Sequence, residues 1–295
     1  MRFLILGASA GGGLPQWNCG CRNCVDARNR KIPCSGQSSL AVSLDGQTWS
    51  ILNASPDIRQ QMLDNPQMHP RSLRDTPVTS VLLTNGDIDH IAGLLSLREQ
   101  TPFSLFATSE ILDVLSENRI FDAVNREKVT RHPVALAQDF DLQPGLSARL
   151  FAVPGKVPLF MEGNDVRTDL IGEQTVGVRL TGNGKVAYYV PGCADVTDAV
   201  LKQLSDADRI FFDGTLWDDD EMIRSGTGIK TGRRMGHIPI SGPDGSIVRL
   251  QGLRAAKTFI HINNTNPILQ PDSPERAFVE QSGWDIAHDG QEISA

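Results

Sequence analysis

The sequence predicts an α/β protein in which helices cover the outer faces of two mixed sheets, an α/β/β/α sandwich. Short apolar, β-branched runs alternate with amphipathic segments throughout the chain. Strands with short helices come first, a long hairpin region follows, and strand–helix–strand units complete the sequence. No repeat or linker divides the 295 residues, so we expect a single domain spanning residues 1–295.

Turn residues set the limits of the predicted elements. Asp45 and Gly46 separate two early strands, and Pro56 stands in the first turn of a short helix. Glycines on both sides of Asn183 close a hairpin. The helices are predicted at 56–65, 91–98, 109–118, 118–124, 197–203 and 273–282, with 243–252 left as helix or loop. The strands are predicted at 2–6, 39–44, 48–52, 78–84, 103–107, from 132 onward, 146–153, 176–180, 186–190, 209–213, 258–262 and 284–287.

Composition and charge restrict the classes of function. Hydrophobic residues make up 40% of the chain and charged residues 21%, and no apolar run is long enough to cross a membrane. The apolar stretch at the N-terminus is too short for a secretory signal, so we interpret it as a strand and expect a cytoplasmic protein. The net charge of −7 argues against a nucleic-acid partner. The oligomeric state stays open, with a homodimer as one candidate.

The most informative motif follows the predicted strand at 78–84. The run NGDIDHIAGL places four polar residues, Asn85, Asp87, Asp89 and His90, in a turn between this strand and a helix. Side chains in such a turn converge beyond the edge of the sheet. Aspartate often caps a helix, and we accept that interpretation for Asp87 taken alone. For the run as a whole, we predict a metal site.

Other predicted strands also end in polar groups. Lys156 follows one strand, and Asp213 ends another as a structural or supporting residue. His261 closes a buried strand and precedes three asparagines, so it is placed to join the same cavity. His237 follows a glycine in a loop, where it is a candidate for proton transfer or for holding the loop. Three further histidines are interpreted as structural: His69, His132 and His288.

Three cysteines lie within six residues, as Cys19-x-Cys21-x-x-Cys24. In a chain without an export signal, such clustering indicates metal binding rather than disulfides, and thiolates favour zinc. We therefore predict a structural zinc in this N-terminal loop, with a redox pair as the weaker alternative. The fourth ligand stays open between Cys34, ten residues further on, and a residue of a distant loop.

The run at 85–90 resembles the His-x-His-x-Asp-His signature of the metallo-β-lactamase superfamily, with Asn85 and Asp87 in place of the two leading histidines. Lys156 stands where hydrolytic members carry another histidine, and an ammonium group cannot bind a metal. The metal-bridging aspartate of the superfamily corresponds to Cys193 or Asp195. These changes disfavour a dizinc hydrolase.

The remaining candidate ligands suit a different metal. Asp89, His90 and His261 form a set of two histidines and one carboxylate, which is typical of non-haem Fe(II) and leaves coordination positions for O2 and substrate. We therefore expect iron in the active site and zinc at the cysteines.

Six longer segments resemble the PqqB family, the B proteins of pyrroloquinoline quinone (PQQ) biosynthesis. They are MRFLILGASAGGGLPQWNCGCRNC, LLTNGDIDHIAGLL, VPGKVPLF, YYVPGCAD, TGRRMGHIPISG and HINNTNPIL, and they extend from Met1 to Leu269. The resemblance implies a metallo-β-lactamase-like fold and a role in making PQQ, which grows from a Glu and a Tyr of a precursor peptide. It also implies an Fe(II)- and O2-dependent hydroxylase acting on the tyrosine ring of the excised Glu-Tyr unit. An older suggestion is a carrier that transports the finished cofactor.

The resemblance also implies roles for the candidate residues. Lys156 and one of Arg233 and Arg234, which lie in a basic glycine-rich loop, would pair with substrate carboxylates. A solvated loop is the alternative for the two arginines. Related phosphodiesterases take the fourth zinc ligand from the loop after the last histidine; here that residue is Asn264, a poor zinc ligand. Three residues would orient the substrate or move protons: Asn85, Asp87 and His237.

Three classes of function remain. An Fe(II)/O2 hydroxylase acting on a Glu-Tyr derivative is favoured. A metallohydrolase of a phosphodiester or amide is disfavoured by the missing histidines. A non-catalytic carrier of an anionic quinone would fit a degenerate site.

Overall fold

Two sheets form the centre of the structure. The computed structural model describes residues 1–163 and 166–295, and within them two seven-stranded sheets pack face to face. Helices pack on the outer faces of both sheets, so the predicted α/β/β/α sandwich is confirmed. In the same residues, no helix is long and apolar enough to cross a membrane.

The strands and helices are numbered in chain order. Across the described ranges, the strands are β1 (Arg2–Gly7), β2 (Ser39–Ser43), β3 (Trp49–Leu52), β4 (Val78–Leu82), β5 (Phe103–Ala107), β6 (Val129–Pro133), β7 (Asp139–Gln143), β8 (Leu146–Ala152), β9 (Val176–Gly182), β10 (Lys185–Val190), β11 (Arg209–Asp213), β12 (Ala256–Ile260), β13 (Trp284–Ile286) and β14 (Glu292–Ser294). The helices are α1 (Arg22–Arg28), α2 (Ile58–Asp64), α3 (Ile88–Ile91), α4 (Ser109–Glu117), α5 (Asp198–Gln203), α6 (Glu221–Arg224), α7 (Gly232–Met235), α8 (Ser246–Arg249) and α9 (Pro274–Gln281). The first sheet has the order β14-β1-β2-β3-β4-β5-β6, and the second has the order β13-β12-β11-β10-β9-β8-β7.

Three apolar layers hold the sandwich together. Between the sheets, inward-facing residues of β1 and β11 meet, and the rings of Phe3 and Phe211 lie 4.9 Å apart. Outside the first sheet, α2 contributes the buried Ile58. Outside the second, α5 and α9 bury Val200 and Val279. Because side chains alternate along a strand, each sheet can supply one face to the central layer and one to its helices.

One edge of the sandwich gathers the ends of several strands. β10, β11 and β12 run parallel. β8 runs in their direction because it is antiparallel to β9, which is antiparallel to β10. Bridges between Asn85 and Thr175, and between Ser9 and Ile262, join loops of the two sheets at this edge. The segments after β4, β8, β10, β11 and β12 therefore meet there, as the carboxyl ends of parallel strands do in open sheets.

The helix after β4 differs from the predicted 91–98. It begins at Ile88, and α3 is followed by a 3-10 turn over Ala92–Leu95. Asp89 and His90 therefore lie on the helix rather than in a turn before it. The spacing of apolar residues after His90 correctly indicated which side of this helical segment is buried, but it did not indicate where the helix begins.

Other differences concern edge strands and short helices. β7 and β14 were not predicted; both lie at sheet edges or carry polar residues, so their patterns are weak. β6 ends, rather than begins, near residue 132. The segment predicted as helix at 118–124 is a 3-10 turn over Arg119–Ala123, and α1 inside the cysteine loop was missed.

Candidate metal centre

Asp89, His90 and His261 meet at the edge that gathers the strand ends. Asp89 and His90 are neighbours on α3, and His261 directly follows β12. Nε2 of His261 lies 3.1 Å from Oδ2 of Asp89, and Nε2 of His90 lies 3.7 Å from the same oxygen. One ligand atom of each residue falls within 4.8 Å of the others. The structure thus brings together the three predicted metal ligands.

His90 is held in one orientation by Asn85. Nδ1 of His90 lies 2.7 Å from Oδ1 of Asn85, which also accepts a hydrogen bond from the backbone N–H of Asp87. An amide oxygen only accepts hydrogen bonds, so Nδ1 of His90 carries the proton and Nε2 presents a lone pair. The backbone N–H of Ala54 donates to the carbonyl of His90 and fixes the helix beneath it.

His261 is held in the same manner by Thr215. Its Nδ1 lies 2.8 Å from Oγ1 of Thr215, whose hydroxyl donates to Oδ1 of Asp213 at 2.6 Å. The hydroxyl therefore accepts from Nδ1 of His261, and Nε2 of His261 faces Oδ2 of Asp89. The backbone of His261 has φ +59, in the left-handed region that non-glycine residues seldom adopt. This turn directs the side chain into the site instead of continuing β12.

The three residues fit a divalent cation. Nε2 of His90 is buried and has no hydrogen-bond partner in the described part of the chain. A buried polar atom without a partner is unfavourable, and a metal ion would satisfy it. Burial also lowers the pKa of His90, which favours the neutral imidazole that binds metals. Burial disfavours ionisation of Asp89, but His90 and His261 outweigh it and lower the pKa of Asp89, so the carboxylate is charged.

Asp213 and His237 form a second polar group beside the first. Asp213 is fully buried and receives four hydrogen bonds. Its donors are the backbone N–H groups of Cys193 and Thr215, the hydroxyl of Thr215, and Nδ1 of His237 at 2.7 Å. Four donors use the acceptor sites of a carboxylate, so Asp213 has no lone pair left for a metal. Although Asp213, His237 and His261 lie within metal-binding distance, this group is better described as a support for His237 and His261.

His237 therefore presents one nitrogen to the cavity. Because Nδ1 donates to Asp213, Nε2 is the basic atom of the neutral ring. Its ring stacks on that of His261, with centroids 5.2 Å apart. The structure places this predicted proton-transfer residue beside the metal ligands and lining the same cavity.

The cavity has a volume of about 290 Å³, and its lining includes Glu162 together with two cations, Lys156 and Lys230. Lys156, Lys230 and Arg234 all form ion pairs with Glu162. The structure thus places Lys156 and Arg234, two predicted carboxylate-binding residues, in one group. In the described residues neither arginine lines the cavity; Arg234 reaches it only through Glu162, and the backbone N–H of Arg233 donates to Asp219. Glu162 was missed because it lies in a loop without a sequence pattern.

Asp87 occupies the N-cap position of α3, but its side chain makes no capping hydrogen bond. Instead, its Oδ1 accepts a hydrogen bond from the backbone N–H of Leu159 at 3.0 Å. The prediction that Asp87 caps the helix is therefore correct for its position and wrong for its side chain. The side chain instead fixes the backbone of the segment that carries Glu162.

Cys19, Cys21 and Cys24 converge at a second candidate site. Their sulfur atoms lie within 4.8 Å of one another. Burial and the neighbouring cysteines raise the pKa of the Cys21 thiol to about 11. Arg28, at the end of α1, fixes the loop by donating to the carbonyls of Gln16 and Cys19. The predicted cluster is thus assembled in three dimensions, with the geometry of three ligands to one ion.

Asn264 completes this cluster. Its Nδ2 lies 3.2 Å from the sulfurs of Cys19 and Cys24 and 3.5 Å from that of Cys21. Cys34, the other candidate for the fourth position, is exposed, and its sulfur points to the carbonyl of Ala27. The distant loop, rather than Cys34, therefore supplies the fourth neighbour.

Neither candidate for the bridging position joins the metal ligands. Cys193 is buried and its thiol donates to the carbonyl of Asp195, while the Asp195 side chain is exposed. Burial and the nearby Asp213 raise the pKa of Cys193, so its thiol stays protonated. Together with the saturated Asp213, this geometry favours one metal ion in the cavity rather than two.

The fold and the sequence resemble those of known proteins. A family model described as a beta-lactamase superfamily domain matches residues 48–262. The coenzyme PQQ synthesis protein B of Ruegeria pomeroyi is 70% identical over 293 residues, which cover 99% of each chain. The chain belongs to the coenzyme PQQ synthesis protein B family. A member from Rhizobium meliloti is 54% identical over 299 residues, covering 99% of this chain and 97% of its own.

A solved structure of the same family agrees with the fold. The 1.98-Å crystal structure of Zn²⁺-bound PqqB from Methylobacterium extorquens superposes with a TM-score of 0.98 and 51% sequence identity, and both chains are covered completely. The resemblance to the PqqB family is thus confirmed, and with it the metallo-β-lactamase fold and a part in PQQ biosynthesis.

Proposed function

We propose that this member of the family hydroxylates the tyrosine ring of a peptide-derived Glu-Tyr unit, using O2 and Fe(II) held by Asp89, His90 and His261. The observation that carries the proposal is the ligand set itself: two oriented imidazoles and one charged carboxylate, with Nε2 of His90 buried and unpartnered. Such a set leaves positions for O2 and substrate on one face of an iron ion. When bound, Fe(II) would supply the one-electron chemistry with O2 that protein side chains lack.

The reaction needs an external reductant. Hydroxylation inserts one oxygen atom into a ring C–H bond, and the second oxygen atom leaves as water. This balance consumes two electrons and two protons in addition to O2. We expect a small-molecule reductant to supply the electrons.

His237 would act on the substrate as an acid–base group. Asp213 holds its Nδ1–H and leaves Nε2 open to the cavity. From there, His237 can accept the phenolic proton of the tyrosine ring or return a proton to the product. Asn85 and Thr215 keep the two metal-binding imidazoles in place while this happens. The role of Asp87 is to hold Leu159, and thereby one wall of the cavity.

The arrangement is unfavourable for hydrolysis. A dimetal hydrolase needs additional ligands at the positions of Asn85, Asp87 and Lys156. Here Asn85 orients His90, Asp87 binds a backbone N–H and Lys156 pairs with Glu162. With Asp213 also saturated, the residues around this cavity support a single ion.

We also propose that the cysteine cluster holds a structural zinc. Three sulfurs at mutual ligand distance suit tetrahedral Zn²⁺, and Asn264 stands on the fourth side. Rotation of the Asn264 amide by 180° would exchange Nδ2 for Oδ1, which can coordinate a metal. The zinc would join α1 to the loop after His261 and so stabilise the position of His261 in the active site.

One experiment can distinguish a hydroxylase, a carrier and a hydrolase by comparing the protein loaded with iron and with zinc. The protein is loaded without oxygen with Fe(II) or with Zn(II), mixed with Glu-Tyr peptide and ascorbate, exposed to O2, and the products are analysed by mass spectrometry. We expect a gain of oxygen mass with iron only, and none with Asp89→Ala or His261→Ala. Unchanged peptide with tight retention of added PQQ would indicate a carrier, and peptide cleavage with zinc would indicate a hydrolase; either result would refute the proposal.

A further inference from the structure

We propose that Glu162 is an internal carboxylate that occupies the subsite for a carboxylate of the substrate. The cations that recognise this carboxylate are Lys156, Lys230 and Arg234. The inference rests on the proposed function, and it deepens it by naming the ligand class: a compound with at least two carboxylates, one of which displaces Glu162.

The geometry shows one carboxylate shared by three cations. Nζ of Lys156 lies 2.9 Å from Oε1 of Glu162. Nζ of Lys230 lies 3.7 Å from Oε2, and Nη2 of Arg234 lies 3.4 Å from the same oxygen. The first distance is short, but in the described part of the chain Oε1 of Glu162 accepts no hydrogen bond of good geometry, and Oε2 accepts two long ones from Arg234. The other two cations are close enough to attract a carboxylate but are not fully used by Glu162.

The charges around this group are not balanced. Three positive side chains face one negative side chain, and Glu162 is only 8% exposed. Burial opposes ionisation of Glu162, but Lys156, Lys230 and Arg234 lower its pKa, so it is charged at neutral pH. Asp87 and Asp89 also line the cavity, and Asp89 lies against the histidines. The cavity therefore has a positive end for carboxylates and a metal-binding end for the reacting ring.

Two contacts connect the positive end with the metal centre. The side chain of Lys156 passes over Gly236, where a Cβ would lie 3.4 Å from Cγ of Lys156; Gly236 also has φ +90. A contact of 3.4 Å is an ordinary van der Waals distance, so Lys156 packs on the residue that precedes His237, and the positive φ rather than a lack of space favours glycine there. At the other end, Asp87 holds the backbone N–H of Leu159, three residues before Glu162. A ligand bound by the cations is thereby placed beside the proposed base.

Exchange of Glu162 for a substrate carboxylate follows from these contacts. Glu162 keeps the cations together when no ligand is bound, since like charges at this distance repel one another. Its own hydrogen bonds to Arg234 are long, at 3.4 and 3.5 Å. A substrate carboxylate that makes shorter contacts with Lys230 and Arg234 would therefore compete with Glu162 for the same positions.

The test measures binding without turnover. Zinc-loaded protein, which is redox-inert, is titrated calorimetrically with N-acetyl-Glu-Tyr and with its neutral analogue, N-acetyl-glutaminyl-tyrosine amide. Glu162→Gln removes the competing charge and keeps the shape, so we expect Glu-Tyr to bind about tenfold more tightly and the neutral analogue to bind as before. The control is Glu127→Gln, on an exposed turn, which should change neither. Unchanged or weaker binding of Glu-Tyr to Glu162→Gln would overturn the inference.

A second variant keeps the test decisive if Glu162→Gln does not fold. Lys230→Gln, in the otherwise unchanged protein, should weaken Glu-Tyr binding about fivefold or more, with no effect on the neutral analogue; Lys128→Gln is its exposed control. Equal loss for both ligands, or no loss, would refute the role of the cations. These binding measurements require no turnover, so they remain valid even if the protein does not hydroxylate Glu-Tyr. If the protein hydroxylates Glu-Tyr but the variants bind it as the original protein does, the proposed function stands and only the role of Glu162 is refuted.

Discussion

Oδ1 of Asn85, in the segment that joins β4 to α3, lies 2.7 Å from Nδ1 of His90 on α3. Asn85 stands where the superfamily signature begins with a histidine. The residue that would be a metal ligand in a hydrolase therefore orients a ligand in this chain. Together with the saturated carboxylate of Asp213, this replacement favours one metal ion in the cavity rather than two.

Loss of the Asn85 side chain should weaken metal binding without removing any ligand. We expect Asn85→Ala to lower the affinity for Fe(II) about 10- to 100-fold, because His90 loses the partner that fixes its ring and proton. Asn85→Asp, which keeps an acceptor oxygen, should stay closer to the original affinity. Competition with a chelator under anaerobic conditions measures both. Equal losses of metal affinity in the two variants would show that the hydrogen bond between His90 and residue 85 does not determine the affinity.

His237 should affect the reaction but not the metal. In His237→Gln, we expect kcat for hydroxylation to fall about 100- to 1,000-fold, since the acid–base group is lost. The iron content should stay unchanged because His237 is not among the three ligands. His132→Gln, on β6 and stacked against Phe106, is the matched control. Loss of iron from His237→Gln would instead identify His237 as a ligand.

The two kinds of cysteine in the N-terminal region should differ in their effect on stability. Cys24→Ser removes a buried zinc ligand, and we expect it to release zinc and lower the free energy of unfolding by about 4 kcal/mol. Cys34→Ser changes an exposed thiol and should do neither. Metal analysis and urea denaturation check both results. Zinc loss from Cys34→Ser would return Cys34 to the ligand set.

Glu221 should make stability depend on pH. It is buried, and burial raises its pKa to about 7 from a usual 4.5. Between these values the folded protein binds more protons than the unfolded chain, so the free energy of unfolding falls as pH rises, by about 3 kcal/mol in total. The Glu221→Gln side chain stays neutral, so the free energy of unfolding of this variant should not fall with rising pH. In Glu127→Gln, the free energy of unfolding should fall as it does in the original protein.

Urea denaturation of the two variants at pH 5 and pH 8 measures this difference. A fall of the same size in Glu221→Gln would assign the pH dependence to other groups.

The sequence was sufficient for the architecture because most strands have clear apolar patterns. The strands at 176–180, 186–190 and 209–213 were found within about two residues. β14 was missed since it is a short, polar edge strand, and its pairing with β1 joins the two ends of the chain. Such long-range pairing leaves no periodic signal in three residues.

The grouping of the three proposed metal ligands could be predicted because Asp89 and His90 form a local motif, while His261 ends a recognisable strand. Thr215 and Glu162 could not. Thr215 acts through a hydrogen bond to His261, 46 positions away in sequence, and Glu162 pairs with Lys230 of a loop that is distant along the chain. Their roles depend on tertiary contacts rather than on neighbours in sequence.

The most direct measurement is a single turnover of the Fe(II)-loaded protein with Glu-Tyr peptide, ascorbate and ¹⁸O2, followed by mass spectrometry of the peptide. We expect one ¹⁸O atom in the tyrosine ring of the product, and none with Asp89→Ala, which lacks the carboxylate ligand. Incorporation of oxygen from water instead of O2, or an unmodified ring despite stoichiometric iron, would contradict the hydroxylase.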